Sequence, residues 1–516
     1  MILIASGAYL GAEFYPELGR LPPSMSPIGN KPLYFYQVAE LKLNFPDEPI
    51  WLTVPSGYQL MRSDEEGMKK LGITLLRVPE MLSLAESLLY AINCIGEYDR
   101  PLRVLHGDTL ISGFPSKTNV IGVSDTQDLY NWEVEKVEDD KEVVWCGYFS
   151  FGNIRELARC LAAAQGNFVH AVREYMDNDR GRREYVGCWH DLGHVSTYFK
   201  ARSGYTTERV FNSLIINSGT VIKEGGIGDK LRRESNWFEM LPTELVVYTP
   251  QLIRTWGEGY ELEYLCMLPL NEMFLYGRNP SFFWKKIFDC FSGWFKLSSL
   301  AVNSQEFSSF AADSEYLYRD KTIARLDEFF QSGSAGMGID FDSCIKLNEW
   351  ESVDVRTVVM TCIDKALSLD QTQGLFHGDL CFSNVLFDSR SDRIKLIDPR
   401  GCNTRRELRG DINYDLAKLS HSVVGLYDYI VAGHYSLHET GNGEYRFEIF
   451  ADERVSTIQK TFLNMQFPLN IRVSDVSSVV CLLFFSMLPL HADCEQRQKA
   501  LFLNAIRLFF EGVEDK

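Results

Sequence analysis

The chain has 516 residues, and at about 150 residues per domain this length predicts two to four domains. Its 52 Lys and Arg residues against 70 Asp and Glu residues give a formal net charge of −18, and so acidic a surface excludes bulk nucleic-acid binding because it repels phosphate backbones. With 45% hydrophobic and 24% charged residues, the composition excludes a disordered or fibrous chain.

We expect a cytoplasmic protein with no membrane partner. The first residues, 1–5, form apolar β-type sequence without a basic region or cleavage site, so no secretory signal is predicted. The longest apolar run, 479–490, contains Ser486 and Pro489 and predicts a buried helix, because it is short for a membrane span. The twelve cysteines are scattered without a CxxC pair, which favours reduced, mostly buried thiols over disulfides or a metal site.

In the first 200 residues, short apolar strands alternate with helices. Helical spacing of apolar residues occurs at 33–43 and 82–95, and strand-like segments occur at 2–5, 50–54, 74–78, 102–105 and 120–123. This alternation predicts an α/β domain with a mostly parallel sheet that helices cover on both faces. In such sheets, ligands bind at the carboxyl ends of the strands.

A polar, turn-rich stretch at 200–207 interrupts this alternation, and we place the domain boundary there, with domains at 1–203 and 204–516. The second domain begins with two short β-runs at 213–216 and 220–223, which are spaced as in a hairpin.

The rest of the second domain changes from β-rich to helical sequence. A helix is predicted at 229–241, with further strands near 245–248 and 260–265. Beyond about 280 the chain is mainly helical, interrupted by one strand–loop–strand region at 374–400. We therefore expect a small β-rich lobe and a larger helical lobe, at about 204–270 and about 271–516.

A set of polar residues in the second domain has the spacing that phosphoryl transfer needs. The pattern H-x-D-x4-N is formed by His377, Asp379 and Asn384, and Asp398 ends an apolar strand fourteen residues later. One carboxylate can receive or orient the hydroxyl proton of an acceptor, while an amide oxygen and a second carboxylate hold Mg²⁺ against the phosphates. Alternatively, Asp379 and Asp398 only cap turns.

This region resembles the aminoglycoside phosphotransferase and choline kinase superfamily, whose fold is similar to that of protein kinases. The resemblance extends over residues 205–516 and implies a two-lobed, protein-kinase-like (α+β) phosphotransferase domain that uses ATP and Mg²⁺. It also implies that Asp379 is the catalytic base, that Asn384 and Asp398 are the magnesium ligands, and that His377 braces the loop.

The resemblance implies a lysine for the nucleotide phosphates and a glutamate that orients it. Lys223 on the second hairpin strand and Glu234 on the next helix occur in that order, although both could instead face solvent. The glycine-rich segment 225–228 could cover the phosphates, and 260–265 would form the hinge that meets adenine. The absence of an APE motif favours a small alcohol or sugar over a protein as the acceptor.

A second carboxylate pair occurs in the first domain. Asp108 follows an apolar strand, and Asp191 precedes a helix-like stretch. If both converge on one edge of the sheet, they suit the Mg²⁺ of a bound nucleoside triphosphate. A carboxylate at a strand end is also a common turn or helix cap.

With Gly7 after the first strand and Gly29-Asn30-Lys31-Pro32-Leu33, these residues look like the sugar-phosphate nucleotidyltransferase family, over about residues 1–200. The resemblance implies a Rossmann-like nucleotidyltransferase domain with Asp108 and Asp191 as metal ligands. It also implies that the loop around Gly7 binds the nucleotide and that Lys31 lies close to it as a catalytic cation.

Two cations of that family are absent from the pattern. The first loop, 7–13, lacks the arginine of G-x-G-x-R, and Pro22-Pro23-Ser24-Met25 stands where the lysine of P-K-P-L is expected. Such cations offset the charge that builds on the triphosphate. Arg20 or Lys31 could substitute for them, or the domain could bind a ligand without turning it over.

Together, the two resemblances imply a bifunctional enzyme. It would phosphorylate a small alcohol or sugar with ATP and couple the phosphate to a second nucleoside triphosphate (CTP, UTP, GTP or dTTP), as in capsule polysaccharide or lipid-headgroup synthesis. Because both sites concentrate carboxylates and both ligands are polyphosphates, Mg²⁺ is required between the like charges. The alternatives are an active kinase with a non-catalytic, ligand-binding first domain, and a protein-modifying or inactive kinase-like scaffold.

Overall fold

The structure is a computed structural model that describes residues 1–126, 128, 132–136, 142–179, 181–204, 213–217, 219–225, 229–301, 310–331 and 338–514. The chain divides into two compact units, Met1–Thr206 with Tyr276–Arg278 and Thr207–Leu275 with Asn279–Lys516, which we call the N-terminal and C-terminal units. The domain boundary expected within 200–207 lies partly outside the described residues, so that boundary and the lobe limits stay predictions.

The N-terminal unit is an α/β domain. Its strands are β1 (Ile2–Ala5), β2 (Pro27–Ile28), β3 (Lys31–Pro32), β4 (Ile50–Pro55), β5 (Ile73–Val78), β6 (Leu102–His106), β7 (Thr109–Ser112), β8 (Val120–Ser124), β9 (Val134–Lys136), β10 (Glu142–Phe151), β11 (Arg182–Tyr185) and β12 (Cys188–Asp191). Its helices are α1 (Tyr15–Leu18), α2 (Leu33–Asn44), α3 (Arg62–Leu71), α4 (Leu84–Ile95), α5 (Ile154–Ala163), α6 (Phe168–Asn178) and α7 (Val195–Ser203).

The main sheet has the order β11-β8-β10-β6-β1-β4-β5, with β9 paired to β10. Strands β6, β1, β4 and β5 are parallel, and Ile2, Leu3 and Ile4 of β1 are almost fully buried. The predicted α/β class with a parallel core is therefore confirmed. Strand β10 is antiparallel to β6 and β8, which a continuous apolar run does not reveal because it lacks any sign of direction.

A two-stranded sheet outside the main sheet positions Asp191 next to Asp108. Strand β12 pairs antiparallel with β7, so that Asp191 lies opposite Thr109. The Leu192 N–H also donates to the backbone oxygen of Asp108 at 2.8 Å. Two residues that are far apart in the chain are thus held side by side.

The C-terminal unit combines a small antiparallel sheet with a larger, mainly helical region. Its strands are β13 (Ser213–Asn217), β14 (Thr220–Glu224), β15 (Leu252–Trp256), β16 (Gly259–Glu263), β17 (Leu268–Pro269), β18 (Cys344–Leu347), β19 (Val353–Asp354), β20 (Gln373–Leu375), β21 (Val385–Asp388), β22 (Arg393–Leu396), β23 (Arg409–Asp411), β24 (Tyr435–Gly441) and β25 (Glu444–Ile449). Its helices are α8 (Lys230–Met240), α9 (Leu270–Tyr276), α10 (Ser281–Leu300), α11 (Phe310–Glu315), α12 (Lys321–Gln331), α13 (Val355–Leu367), α14 (Ile412–Val423), α15 (Tyr427–Val431), α16 (Glu453–Leu463), α17 (Ser477–Ser486) and α18 (Glu495–Phe509).

The small sheet has the order β13-β14-β16-β15, and the hairpin and the helix predicted in this region are confirmed. The strand expected near 245–248 is wrong, because Thr243–Tyr248 forms a 3₁₀ helix that starts after Pro242. Its valines, Val246 and Val247, are each 44% exposed, so this apolar run does not enter a sheet.

Two further expectations need correction. The helical region contains a second sheet, β19-β18-β25-β24, besides the strand–loop–strand region at 374–400. The cysteines are all free thiols, but only six of the twelve are buried. The predicted buried helix is confirmed as α17; the longer stretch Pro468–Ser486 meets the length and hydropathy of a membrane span, and 67% of it is buried inside the structure, as in a core helix.

Candidate active sites

Lys223 of β14 lies between two carboxylates in the C-terminal unit. Its Nζ atom is 2.7 Å from Oε2 of Glu234 on α8 and 2.8 Å from Oδ1 of Asp398. The Tyr260 hydroxyl donates to the same Glu234 oxygen at 2.7 Å. Burial alone would lower the pKa of Lys223, but Asp398 and Glu234 together raise it, so the ammonium stays charged.

His377 braces the loop that carries Asp379. Its ring Nε2 lies 3.1 Å from the backbone oxygen of Ile397, and its Nδ1 accepts from the Asp379 N–H at 3.3 Å. Burial lowers the pKa of His377 to about 4, which fits a neutral ring with its proton on Nε2. A ring held in this way orients the loop.

Asp415 of α14 holds the same loop through two backbone N–H groups. Its Oδ2 and Oδ1 atoms accept the backbone N–H groups of His377 and Gly378, both at 2.8 Å. Burial raises the pKa of Asp415 to about 7, although these two N–H donors oppose the rise. Asp415 was not among the predicted site residues. Its position in the sequence could have indicated it, because the run 410–419 follows Asp398 closely and forms β23 and the first part of α14.

Asp379 is held by two donors. Nδ2 of Asn384 donates to its Oδ2 at 2.9 Å, and the Lys418 ammonium donates to its Oδ1 at 2.9 Å. Burial pushes the pKa of Asp379 upward, but Lys418 more than offsets this and lowers it to about 2. Lys418 was not predicted; it shares one face of α14 with Asp415 because the two are three residues apart.

Asn384 and Asp398 lie on neighbouring loops. The Ile397 N–H donates to the backbone oxygen of Asn384 at 2.9 Å, so Asp398 directly follows this contact. Asp398 has a φ of +54°, a left-handed conformation that is uncommon outside glycine and clusters at functional sites.

A glycine ties this loop to the helix that carries Glu234. Gly401 has a φ of +80°, and a Cβ there would lie 2.4 Å from the backbone carbon of Arg233. The Cys402 N–H donates to the backbone oxygen of Arg233 at 2.9 Å. Of the glycine-rich segment 225–228, residues 226–228 lie outside the described residues.

The donor types at this site fit Mg²⁺. An amide oxygen from Asn384 and a carboxylate from Asp398 are hard oxygen ligands of the kind Mg²⁺ prefers. The described residues contain no group of three or more His, Cys, Asp or Glu side chains that could hold a metal by themselves. A nucleotide-bound Mg²⁺ needs only one or two protein oxygens, since phosphates and water complete its shell.

In the N-terminal unit, a cleft of about 360 Å³ lies at the carboxyl ends of β1 and β6, and its lining includes Gly7, Asp108 and Asp191. Burial, reinforced by repulsion from Asp191, raises the pKa of Asp108 to about 6. A Cβ on Gly7 would lie 2.3 Å from Cγ2 of Val78, so the loop can approach β5 only without a side chain. The structure therefore brings three of the predicted residues to one cleft.

Asp191 is held in place by its own loop. It accepts from the Gly193 N–H at 2.9 Å and from the Thr197 hydroxyl at 2.7 Å, and its Oδ2 lies 3.0 Å from Nδ1 of His194. A Cβ on Gly193 would lie 2.6 Å from Oδ2 of Asp108. His194 lines the cleft and was not predicted, although it stands three residues after Asp191.

Lys31 is placed away from this cleft. It is exposed on β3, it is not among the described lining residues, and its Nζ is 6.0 Å from the centre of the Phe35 ring. Ser24, in the segment that stands for the family lysine, is buried, and its hydroxyl donates to the Gly107 oxygen at 3.2 Å. The catalytic role expected for Lys31 stays a prediction that this placement does not favour.

Arg20 is the better placed of the two candidate cations. Its guanidinium lies 4.2 Å above the ring of Tyr9, which lines the cleft, and it is 3.6 Å from Glu80. Among the described lining residues there is no lysine or arginine. Arg20 thus lies beside a residue of the lining and is not itself part of it.

No protein-family model and no curated protein match the chain. Among solved structures, its N-terminal part is similar to a nucleoside-diphosphate-sugar pyrophosphorylase from Vibrio cholerae (15% identity, 39% of this chain and 98% of that one, TM-score 0.31). An inositol-1-phosphate CTP transferase from T. maritima is similar at 16% identity over 38% of this chain and 89% of its own, with a TM-score of 0.29.

A choline/ethanolamine kinase family protein from Mesorhizobium loti is similar at 11% identity over 61% of this chain and 95% of its own, with a TM-score of 0.33. These similarities concern the fold. The sequence motifs resemble the same two groups of proteins, sugar nucleotidyltransferases and the choline kinase superfamily, and the activities that this resemblance implies stay predictions.

Proposed function

We propose that the C-terminal unit is an ATP-dependent phosphotransferase that acts on a small alcohol or sugar. The observation that carries this proposal is the position of Lys223, whose ammonium lies within 2.8 Å of both Glu234 and Asp398. A lysine oriented by a glutamate and placed beside a carboxylate is what a nucleotide triphosphate with Mg²⁺ requires.

Asp379 is the residue that meets the acceptor. The acceptor hydroxyl oxygen forms a bond to the γ-phosphorus of ATP, the bond from that phosphorus to the leaving oxygen breaks, and ADP departs. The hydroxyl proton passes to a carboxylate oxygen of Asp379 and then to water. Because Lys418 keeps the pKa of Asp379 at about 2, Asp379 orients the hydroxyl as an ionised acceptor and takes the proton late.

The remaining residues position the nucleotide. Lys223 binds phosphate oxygens, Glu234 holds Lys223, and His377 fixes the loop. Asn384 and Asp398 would hold Mg²⁺, which neutralises charge on the phosphates when it is bound.

We further propose that the N-terminal unit transfers a nucleotidyl group. The phosphate made by the C-terminal unit attacks the α-phosphorus of a second nucleoside triphosphate, pyrophosphate leaves, and an NDP-sugar or CDP-alcohol forms. Asp108 and Asp191 would hold Mg²⁺ in the cleft, and the loop at Gly7 contacts the nucleotide. Surface polysaccharide or headgroup assembly is the proposed use of the product.

A second candidate function for this unit is ligand binding without turnover. The described lining of its cleft has no lysine or arginine, and nucleotidyl transfer ordinarily uses cations to stabilise charge on the triphosphate. On this alternative the kinase alone is active.

The kinase proposal is tested by ADP release. The full chain with Mg-ATP is given a panel of sugars and amino alcohols, and at least one acceptor should raise ADP release above the background. Asp379→Asn should abolish this increase. Asp392→Asn, the same change at an exposed carboxylate paired with Lys286, should retain the increase. If no acceptor raises ADP release and Asp379→Asn leaves the release unchanged, the proposal is overturned.

The N-terminal activity is tested by pyrophosphate release from CTP, UTP, GTP and dTTP with phosphorylated acceptors. Release with one triphosphate, lost in Asp108→Asn and kept in Asp99→Asn at an exposed site, supports nucleotidyl transfer. Binding of a triphosphate without pyrophosphate from any of the four favours the ligand-binding alternative.

A further inference from the structure

Two lysines lie near Tyr414 of α14, and one of them contacts Asp379. Lys418 lies 2.9 Å from Asp379. Lys321, at the start of α12, places its Nζ 3.5 Å from the Tyr414 hydroxyl and 5.9 Å from the centre of that ring. These residues come from α12 and α14, which the sequence separates by about 90 positions.

Arg400 lies two residues after Asp398, in the loop that follows β22. Its backbone N–H donates to the backbone oxygen of His377 at 2.9 Å, and a Cβ on Gly378 would lie 2.6 Å from the Arg400 Cβ. Arg400 is thus packed directly on the residue that precedes Asp379, and its side chain is exposed.

The positive charges of this cluster are not balanced by carboxylates. Within the part of the chain that the structure describes, the side chains of Lys321 and Arg400 form no ion pair with an acidic residue. Asp379 already forms an ion pair with Lys418. The other carboxylate near Lys418, that of Asp415, accepts hydrogen bonds from two backbone N–H groups.

The titration behaviour of the neighbours agrees with this imbalance. Burial lowers the pKa of the Lys321 ammonium, and Tyr414 opposes this. The positive charges of Lys418, Arg325 and Arg400 add to the lowering of this pKa. Burial would raise the pKa of the Tyr414 phenol, yet Lys321 and Lys418 reverse the direction and lower it. Positive side chains are therefore concentrated around Tyr414 in a chain whose net charge is −18.

Lys321 is a half-buried cation without an acidic partner among the described residues, and this is unfavourable because its desolvation is not compensated. The missing negative charge can arrive with the substrate. A cationic acceptor such as a quaternary amine would instead be repelled by Lys321 and Arg400, the two cations of the group that have no acidic partner in the described part of the chain.

Resting on the phosphotransferase function proposed above, we propose that the acceptor is an alcohol that also carries an anionic group, a carboxylate or a phosphate. Lys321 and Arg400 bind this group, and Lys418 holds Asp379 in position for the acceptor hydroxyl. Hydroxy acids and phosphorylated polyols share this chemistry.

The test compares small acceptors that differ in charge. ADP release is measured with glycerol, D-glycerate, glycerol 3-phosphate and choline. At least one anionic probe should exceed glycerol in kcat/KM by about 10-fold or more, the size expected for a charge-assisted contact. The better of D-glycerate and glycerol 3-phosphate identifies the anionic group. A preference for glycerol or choline overturns the inference.

The residue assignment is tested with variants of the full chain. Lys321→Met should bring the anionic-to-neutral ratio of kcat/KM close to one through a rise in KM, and Lys321→Arg should restore part of it. Lys346→Met, the same change at an exposed lysine paired with Glu444, should keep the ratio. A ratio that survives Lys321→Met overturns the role of Lys321.

Binding separates this inference from the proposed function. In the presence of Mg-ADP, calorimetric titration with D-glycerate, glycerol 3-phosphate and inorganic phosphate should give binding that weakens about tenfold or more in Lys321→Met. Such binding without phosphoryl transfer supports the anion site while the kinase proposal fails. Phosphoryl transfer to other acceptors, with no Lys321-dependent binding of these three probes, overturns the anion site alone.

Discussion

Lys418 donates to Oδ1 of Asp379 at 2.9 Å, while Nδ2 of Asn384 donates to Oδ2 of the same carboxylate at 2.9 Å. Each oxygen of the proposed catalytic carboxylate therefore accepts from one donor. These two contacts restrict the carboxylate to one orientation, which favours a hydrogen bond to an acceptor hydroxyl at a defined position.

Lys418→Met should lower kcat for phosphoryl transfer by about 10-fold or more, because a misplaced catalytic group forfeits part of the gain from positioning. The KM for ATP should change little, since Lys418 contacts Asp379 and no predicted nucleotide ligand. Lys418→Arg should recover part of kcat. Steady-state kinetics check this, and an unchanged kcat in Lys418→Met would contradict it.

Lys223→Met should weaken ATP binding and lower kcat together. The same change removes the buried lysine partner of Glu234, which keeps, among the described residues, only the Tyr260 hydroxyl and a longer contact with Lys230. Breaking a buried ion pair typically destabilises a protein by about 3–5 kcal/mol. The variant Lys223→Met/Glu234→Gln removes the unpaired charge and should recover thermal stability but not ATP binding. Melting curves and calorimetric titration with ATP distinguish the two effects; recovery of ATP binding in the double variant would argue against the role of Lys223.

Asp415→Asn should lower kcat while the KM for ATP stays near the wild-type value. An asparagine can accept only one of the two backbone N–H groups that Asp415 now binds, so the other is left unsatisfied at a cost of about 1–3 kcal/mol. Kinetics and denaturant unfolding measure both effects. A stable variant with full kcat would show that the loop at His377 does not depend on this residue.

Chelation with EDTA should abolish ADP release, and excess Mg²⁺ should restore it. The melting temperature of the nucleotide-free protein should not change, because the described residues contain no cluster of three or more metal-ligating side chains that would hold a structural ion. ADP release that persists in EDTA would rule out the magnesium roles proposed for Asn384 and Asp398.

Asp64 of α3 should make the stability of the N-terminal unit depend on pH. Burial raises its pKa in the folded chain to about 6, so the folded state binds the proton more tightly than the unfolded state does. Stability is then complete below about pH 4 and decreases as the pH rises through 6. Asp64→Asn should equal the wild type at pH 4 and exceed it above pH 7 by up to about 3 kcal/mol.

Denaturant unfolding between pH 4 and 8 measures this difference. Asp47→Asn, at an exposed position near the start of β4, serves as the matched control and should show no pH-dependent gain. A constant difference between Asp64→Asn and the wild type across the range would show that Asp64 does not titrate there.

Several elements could be predicted because their patterns are local. Strand β1, helix α2 and the β13–β14 hairpin follow from apolar periodicity and turn residues within a few positions. The strand predicted at 245–248 was wrong because the sequence does not show whether a pair of valines is buried in a sheet or exposed on a 3₁₀ helix. The β24–β25 hairpin was missed although buried Tyr445 and Phe447 alternate with exposed residues, because the surrounding sequence is helical.

The spacing of His377, Asp379 and Asn384, with Asp398 after them, could be recognised from the chain because these residues act over one loop and one strand. The contact of Lys223 with Asp398 spans 175 positions and depends on how β14, α8 and the loop after β22 pack. Lys418 lies in the run 410–419 but was not singled out within it, and Lys321 belongs to no motif. Helix packing brings Lys321 to Tyr414 and Lys418 to Asp379. A local pattern records the spacing of residues along the chain and not which distant charges lie near one another.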